Sequence, residues 1–316
     1  MKVAALDLGT NTFLCLIVEV ESGVIKKIID DQVRIVRLGQ GMNRQVGGKK
    51  TIHPEALIRA KSCLKEFAEI IQRHKPDKVL AMATSAAREA TNAAELFKIG
   101  QEFQIPIEVI PGAREAEITY EGSISGQQNS AQAFLVIDIG GGSTEIILGH
   151  GAEVQFSKSL NIGCVRLTES FLPTQPASPE NLTRLRQEIA DQIKVLKQEV
   201  MSQFKCTDDY LALAVAGTPT ELARIQIGEF KAEKIDGFQL TKEQLTTWET
   251  SFSKLTPEEI ARNFGVSAGR ADVILVGVMI LQEFCRAFNI KGVEVSTRGV
   301  RFGVALEIEK REKGKK

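Results

Sequence analysis

The sequence offers little for a disulfide scaffold or a sulfur-bound metal. The five cysteines (Cys15, Cys63, Cys164, Cys206 and Cys285) are scattered, odd in number and form no C-x-x-C pair. Thiols sitting mostly in apolar runs read as buried and reduced, which suits the cytoplasm and excludes a zinc site. Excess charge is missing too. Lys and Arg number 40, as do Asp and Glu, so no overall field draws the chain to nucleic acid or to a membrane surface. No apolar run approaches membrane-spanning length. The first residues read as a strand ending in Asp7, not as an apolar leader followed by a cleavage site. His53, His74, His150 and Trp248 complete their residue types. They do not cluster with the motifs below and read as packing or surface. The basic tail from Lys310 to Lys316 reads as a solvated helix end.

Glycine, by contrast, is concentrated where it matters. Phe134 to Gly149 reads FLVIDIGGGSTEIILG. Apolar runs flank Asp138, then Gly140-Gly141-Gly142, Ser143, Thr144 and Glu145, which predicts a β-hairpin with a glycine turn and a carboxylate at its mouth. Glycine leaves backbone N–H groups uncovered by a Cβ, and a row of such groups cradles phosphate oxygens. A carboxylate beside phosphate calls for a metal between them, and Mg²⁺ is the usual one. The pattern is duplicated. Val3 to Val18 reads VAALDLGTNTFLCLIV, and a slide of 131 residues sets Asp7 on Asp138, Gly9 on Gly140 and Thr12 on Ser143. A repeat with a domain-sized period implies two similar lobes facing each other across a cleft.

At 316 residues the chain exceeds one typical core and suits two domains. Residues 1–126 are expected to form the N-terminal lobe and 127–298 the C-terminal lobe, with a final helix over 299–316 packing back on the first. Strands and helices alternate, with a three-strand meander opening each lobe, which makes the fold class α/β. In the first lobe, Val24 to Ile29 and Gln32 to Leu38 read as strand, and Pro54 opens a long amphipathic helix to about His74. Lys78 to Ala83 is a strand running into Thr84 or Ser85, either of which could cap the next helix. There an anion and Arg88 would meet. Pro111-Gly112 starts a helix carrying Arg114, Glu115 and Glu117. In the second lobe, a short helix covers Gly163 to Phe171 and a long one ends near Phe204. A strand ends at Gly217-Thr218, a second strand-to-helix turn suited to phosphate. Thr241 and Thr256 begin helices, and Arg270 to Phe288 reads as one strongly apolar helix.

Two hairpin aspartates and two glycine–hydroxyl loops suggest Mg²⁺-assisted phosphoryl transfer. A hydrolase then needs a carboxylate to orient water, and Glu115 and Glu145 are the candidates. Period-two alternation aims Ser143 and Glu145 at one face.

At this point the residues resemble a known family. The stretches from Asp7 to Thr12, Ala83 to Arg88, Pro111-Gly112 with Glu115-Ala116, and Asp138 to Glu145 are similar to the exopolyphosphatase/guanosine pentaphosphate phosphohydrolase (Ppx/GppA) family. The runs Gly163 to Glu169, Ala216 to Thr220 and Arg270 to Ile274 continue the match in family order. The resemblance implies two ribonuclease H-like lobes of the actin/Hsc70/sugar kinase superfamily with an interlobe cleft, in the short two-domain form. It implies Mg²⁺-dependent removal of the terminal phosphate from inorganic polyphosphate, guanosine pentaphosphate, or both. Glu115 would activate water and Glu145 would be a second acidic residue of the site. Asp7 and Asp138 would hold the metal. Thr10, Asn11, Thr12, Arg88, Gly140, Gly141, Gly142 and Ser143 would hold phosphate, joined by Gly217 and Thr218 from the strand-to-helix turn. A homodimer is the family's common state and is expected here. Three departures stand out. Arg114 replaces an acidic neighbour of the base, where it would lower the pKa of Glu115 or bind phosphate. Thr12 replaces a serine. Phe302, in Gly299-Val300-Arg301-Phe302-Gly303, replaces a glutamate and puts that segment's role in doubt. Two other readings stay open: a kinase of the same superfamily, and a non-catalytic sensor of polyphosphate or a guanosine alarmone.

Overall fold

The computed structural model describes residues 1–44, 49–127, 132–203 and 210–314. The chain divides into two compact units, Met1–Gln127 with Arg298–Lys316, and Gln128–Thr297.

The first unit opens with β1 (Lys2–Leu8), β2 (Thr12–Glu21) and β3 (Val24–Ile35), followed by α1 (Pro54–His74) and β4 (Lys78–Ala83). Next come α2 (Ser85–Glu89), α3 (Ala93–Glu102), β5 (Ile107–Val109) and α4 (Gly112–Ile124). Its sheet runs β3-β2-β1-β4-β5, an antiparallel meander continued by parallel strands. β3 is a single strand with two register shifts, where the sequence suggested two. Asp30 and Asp31 do not break it, because it is an edge strand and its side chains find partners. Asp30 lies 3.0 Å from His74, and Asp31 accepts two bonds from Arg301 at 2.8 and 2.9 Å. The strand stops before Leu38 because Val36 and Arg37 turn their amides to the Asn11 carbonyl. α1 starts with Pro54 at its first position and buries Leu57, Ala60, Leu64 and Phe67 along one face, as its periodicity predicts. α2 departs from expectation: Thr84 makes no side-chain cap, and the Ser85 hydroxyl donates to Glu89 at 2.9 Å.

The second unit begins with β6 (Ala133–Ile139), β7 (Thr144–His150), β8 (Glu153–Leu160), α5 (Cys164–Phe171) and α6 (Pro179–Gln203). It continues with β9 (Leu211–Val215), α7 (Gly217–Ile227), α8 (Ala232–Ile235), β10 (Gln239–Thr241), α9 (Lys242–Phe252) and α10 (Pro257–Phe264). α11 (Ala268–Ala271), α12 (Ile274–Ala287) and β11 (Gly292–Val295) complete it. The sheet order is β10-β11-β9-β6-β7-β8. Without the edge strand β10 this is the order of the first unit, read from the other end, so each unit is a ribonuclease H-like α/β layer. Thr241 and Thr256 close capping boxes with Gln244 and Glu259. The apolar run after Arg270 is two helices, not one. The Asp272 carbonyl, between them, is taken by the Gln175 side chain at 2.5 Å. Beyond that break α12 is buried from Ile274 through Cys285, as a helix apolar on all sides must be.

Cys15, Cys63, Cys164 and Cys285 are buried free thiols. Burial pushes Cys15, Cys63 and Cys285 up to about 12. Cys206 lies outside the described residues, as does Phe204, where the long helix was expected to end. Among the described residues no helix is long and apolar enough to cross a membrane.

The last helix, α13 (Val300–Lys313), belongs to the first unit and fixes α4 in place. The two pack backbone to backbone: a Cβ on Gly303 would fall 1.9 Å from the Ile118 carbonyl, and one on Gly122 would fall 2.1 Å from that of Gly299. Arg114 reaches across to Glu307 at 2.7 Å and along α4 to Glu117 at 2.7 Å. It is therefore part of the α4–α13 clasp, which corrects the expectation that it acts on Glu115 or on phosphate. Phe302 is 2% exposed and packs in the core with Val3, Leu16 and Val304. The guanidinium carbons of Arg298 and Arg301 lie 5.2 and 4.8 Å from its ring centre, within cation–π range. Its role is packing. Glu309, 5% exposed, accepts the amides of Ser22 and Gly23 at 2.8 and 2.7 Å and so ties the β2–β3 turn to α13. Burial alone would raise the Glu309 carboxyl, but Lys313 and the two amides outweigh it and hold it below its ordinary value. A depressed carboxyl stabilises the fold above the ordinary carboxylate range and loses that contribution as pH falls through its folded value. Glu309→Gln is expected to cost about 1–3 kcal/mol near neutral pH. In urea unfolding, the gap to wild type should close as the pH is lowered below the carboxylate range.

Candidate functional site

The duplicated motif folds into the same turn twice. The Gly9 amide donates to the Thr12 carbonyl at 3.0 Å, and the Gly140 amide to that of Ser143 at 2.9 Å. An added Cβ would fall 3.0 Å from the Thr12 carbonyl oxygen at Gly9 and 2.9 Å from that of Ser143 at Gly140. A side chain at Gly140 would force the turn to shift, and one at Gly9 would require the Thr12 carbonyl to give way.

What surrounds each turn determines which way its peptides point. In the second unit the N-terminus of α5 donates to the loop: Cys164 to the Gly140 carbonyl at 3.0 Å, and Val165 and Arg166 to that of Gly141 at 2.9 and 3.0 Å. The Arg166 Nε donates to the Gly142 carbonyl at 2.6 Å. In a planar trans peptide the carbonyl and the following N–H point opposite ways. Three carbonyls committed to α5 therefore turn the amides of Gly141, Gly142 and Ser143 to the other side, as a phosphate cradle requires. Gly163 makes this approach possible, since a Cβ there would lie 2.5 Å from the Gly141 carbonyl oxygen. The first unit repeats the device with different donors. Gly39 donates to the Thr10 carbonyl at 2.9 Å, and Val36 and Arg37 to that of Asn11 at 3.0 and 2.8 Å, turning the Asn11 and Thr12 amides away. Arg37 accepts φ of 54° to do so. Thr10 and Asn11 are buried, and the Thr10 methyl fills the space where Gly39 lacks a side chain.

The acidic residues separate the two units. Asp138 and Glu145 are directly opposite in the β6–β7 ladder, so they share a face. They are 6% and 1% exposed, and Ser159, opposite Glu145 on β8, donates to Glu145 at 2.7 Å. Ser143 itself lies in the turn before β7 begins, so strand alternation does not govern its direction. Two like charges side by side and out of water repel. An all-oxygen, doubly negative donor set of this kind fits a hard divalent cation such as Mg²⁺, which keeps waters and substrate phosphates as further ligands. Among the described residues no group of three or more His, Cys, Asp or Glu is gathered, and a site of this kind does not need one. In the first unit Asp7 faces Leu14 on β2 and Met82 on β4, so its strand neighbours offer no second carboxylate.

The first unit instead pairs an acid with a base. Arg88 Nη1 donates to Glu115 at 2.9 Å and to the Ile110 carbonyl at 2.9 Å. Glu115 stands in the first turn of α4, where the helix dipole favours a carboxylate, and is 5% exposed. Gly217 opens α7, after Ala216 takes φ of 76°. A Cβ on Gly217 would fall 1.9 Å from Arg270 Nη1, so a guanidinium rests on that helix start. The Thr218 hydroxyl is turned against Gly277 of α12. What Thr218 offers at the helix start is its amide, not its side chain.

The sequence motifs do not single out Arg166, Ser159, Gly39 or Arg270 as site residues. Arg166 and Arg270 sit inside the motifs, but spacing along the chain does not say which loop a side chain will touch.

A model of the Ppx/GppA phosphatase family matches residues 16–312. The chain belongs to this family. It is 32% identical to Exopolyphosphatase 2 of Mycobacterium tuberculosis, over 97% of this chain and 98% of that protein. Among solved structures, an exopolyphosphatase from Cytophaga hutchinsonii superposes with a TM-score of 0.88 at 26% identity, covering 98% of each chain. The Aquifex aeolicus Ppx/GppA family member gives 0.78 at 29% identity, covering 99% of this chain and 98% of its own. In a Ppx/GppA phosphatase, a loop whose amides face outward is the feature to perturb. Gly163→Ala is expected to force the loop away from α5 at a cost of about 1–3 kcal/mol, seen as a lower melting temperature with phosphatase activity falling further than stability alone explains.

Proposed function

We propose that this chain is a Mg²⁺-dependent phosphohydrolase that removes the terminal phosphate of inorganic polyphosphate, of guanosine pentaphosphate, or of both. One observation carries the reading: the same turn is built twice, each time with its carbonyls committed behind it and its amides turned forward. Repeated phosphates suit repeated cradles. Relatives named as exopolyphosphatases support polyphosphate as the substrate class.

In this mechanism Glu115 accepts a proton from water at its carboxylate. The water oxygen attacks the terminal phosphorus, and the bond from that phosphorus to the bridging oxygen breaks. The products are orthophosphate and a chain one phosphate shorter. The amides of Asn11, Thr12, Gly141, Gly142, Ser143, Gly217 and Thr218 hold phosphate oxygens, and Arg88 adds a cation. Asp138 with Glu145, and Asp7, would hold Mg²⁺. When bound, the ion neutralises phosphate oxygens and so makes the phosphorus open to attack. Positioning and charge neutralisation supply most of the acceleration in such chemistry. The sensor reading drew on Arg114 and Phe302; in the first unit Arg114 pairs with Glu117 and Glu307 and Phe302 packs in the core. A cytoplasmic homodimer belongs to the same proposal: the buried thiols support the compartment, and light scattering would test the dimer.

Phosphate release from long polyphosphate, short polyphosphate and guanosine pentaphosphate is expected in the presence of Mg²⁺ and should be lost with EDTA. Glu115→Gln should lower kcat by about 10²–10⁴-fold while keeping ligand binding. Equal activity of the variant would remove Glu115 as the base. No release from any of the three substrates would remove the hydrolase reading.

A further inference from the structure

Arg88 has two partners to serve: the phosphate it would bind and the carboxylate it touches. A carboxylate held by a guanidinium is a weaker base, because the neighbouring positive charge favours its ionised form. A phosphoryl group, meanwhile, recruits the whole two-pronged fork. Nη1 already donates to Glu115 and to the Ile110 carbonyl, so a phosphate that takes the fork through Nη1 displaces Glu115 from it. The two groups differ in freedom: the side chain of Arg88 is 26% exposed and that of Glu115 only 7%. The charged residues next to them in sequence are occupied elsewhere. Glu89 binds Lys50 at 2.5 Å and Ser85, while Arg114 binds Glu117 and Glu307.

We propose that Arg88 is exchanged during the reaction, pairing with Glu115 in the free protein and passing to substrate phosphate on binding. The inference rests on the phosphate-binding reading above. Departure of Arg88 leaves Glu115 a buried carboxylate without that cation, which raises its affinity for a proton. Glu115 thus becomes a competent base only when a phosphate has drawn Arg88 away. Until then the pair keeps a charged base stable in a buried place, as an ion pair must.

A double-mutant cycle tests this without turnover. The probe is methylenediphosphonate, whose P–C–P bridge cannot be hydrolysed, with Mg²⁺ present. Its dissociation constant is measured by calorimetry for wild type, Arg88→Gln, Glu115→Gln and the double variant. If Arg88 must leave Glu115 in order to bind, losing Arg88 costs affinity about tenfold more in the Glu115→Gln background than in wild type. Equal cost in both backgrounds would mean that the pair survives binding, and would overturn the exchange while leaving the hydrolase reading intact. Absence of binding by all four folded proteins would overturn the phosphate site itself. If Arg88→Gln does not fold, Arg88→Lys replaces it in the same cycle, with the same non-additivity expected.

Discussion

The direction of a peptide group governs this molecule. A trans peptide cannot offer its carbonyl and its N–H to the same side, so a loop presents amides only if something behind it takes the carbonyls. In the second unit that something is the start of α5 with the side chain of Arg166. In the first it is the backbone from Val36 to Gly39. The rest of the local architecture follows. Gly163 must lack a Cβ so that α5 can approach, β3 must end at Ile35 so that the next amides are free to turn, and Arg37 must adopt a left-handed backbone.

On this shared frame the units carry different chemistry. The second sets two carboxylates side by side on one strand face, an arrangement that asks for a cation. The first sets a leucine at the matching position and places its buried carboxylate on α4, against an arginine from α2. Duplicating a hairpin reproduces the backbone but not the side chains. The division of labour therefore rests on single positions such as Leu14 and Glu145.

The position of Glu115 depends on a segment far along the chain. α4 is gripped by α13 through glycine contacts and through Arg114 with Glu307. α13 is also held to the sheet by Phe302 and by Glu309. The residues that looked like chemical departures, Arg114 and Phe302, belong to this clasp. Sequence order placed Arg114 beside Glu115. On a helix, however, adjacent residues point about 100° apart, and that separation sends the two side chains to different partners.

Much of the fold was legible from local pattern alone. The hairpin mouths, the amphipathic α1, the buried run of α12 and the repeat at 131 residues all rest on periodicity and on turn glycines, which neighbours in sequence specify. The family was legible in the motif order for the same reason. Tertiary structure alone decided which groups stand behind each loop. It also decided that Arg88 meets Glu115, that Asp138 meets Glu145 in register, that Thr218 turns its hydroxyl inward and that Gln175 divides the last apolar run. Each of these is a contact between residues distant along the chain or a choice of rotamer against a packed neighbour. Such contacts depend on how sheets and helices close over one another, and spacing along a chain does not encode that.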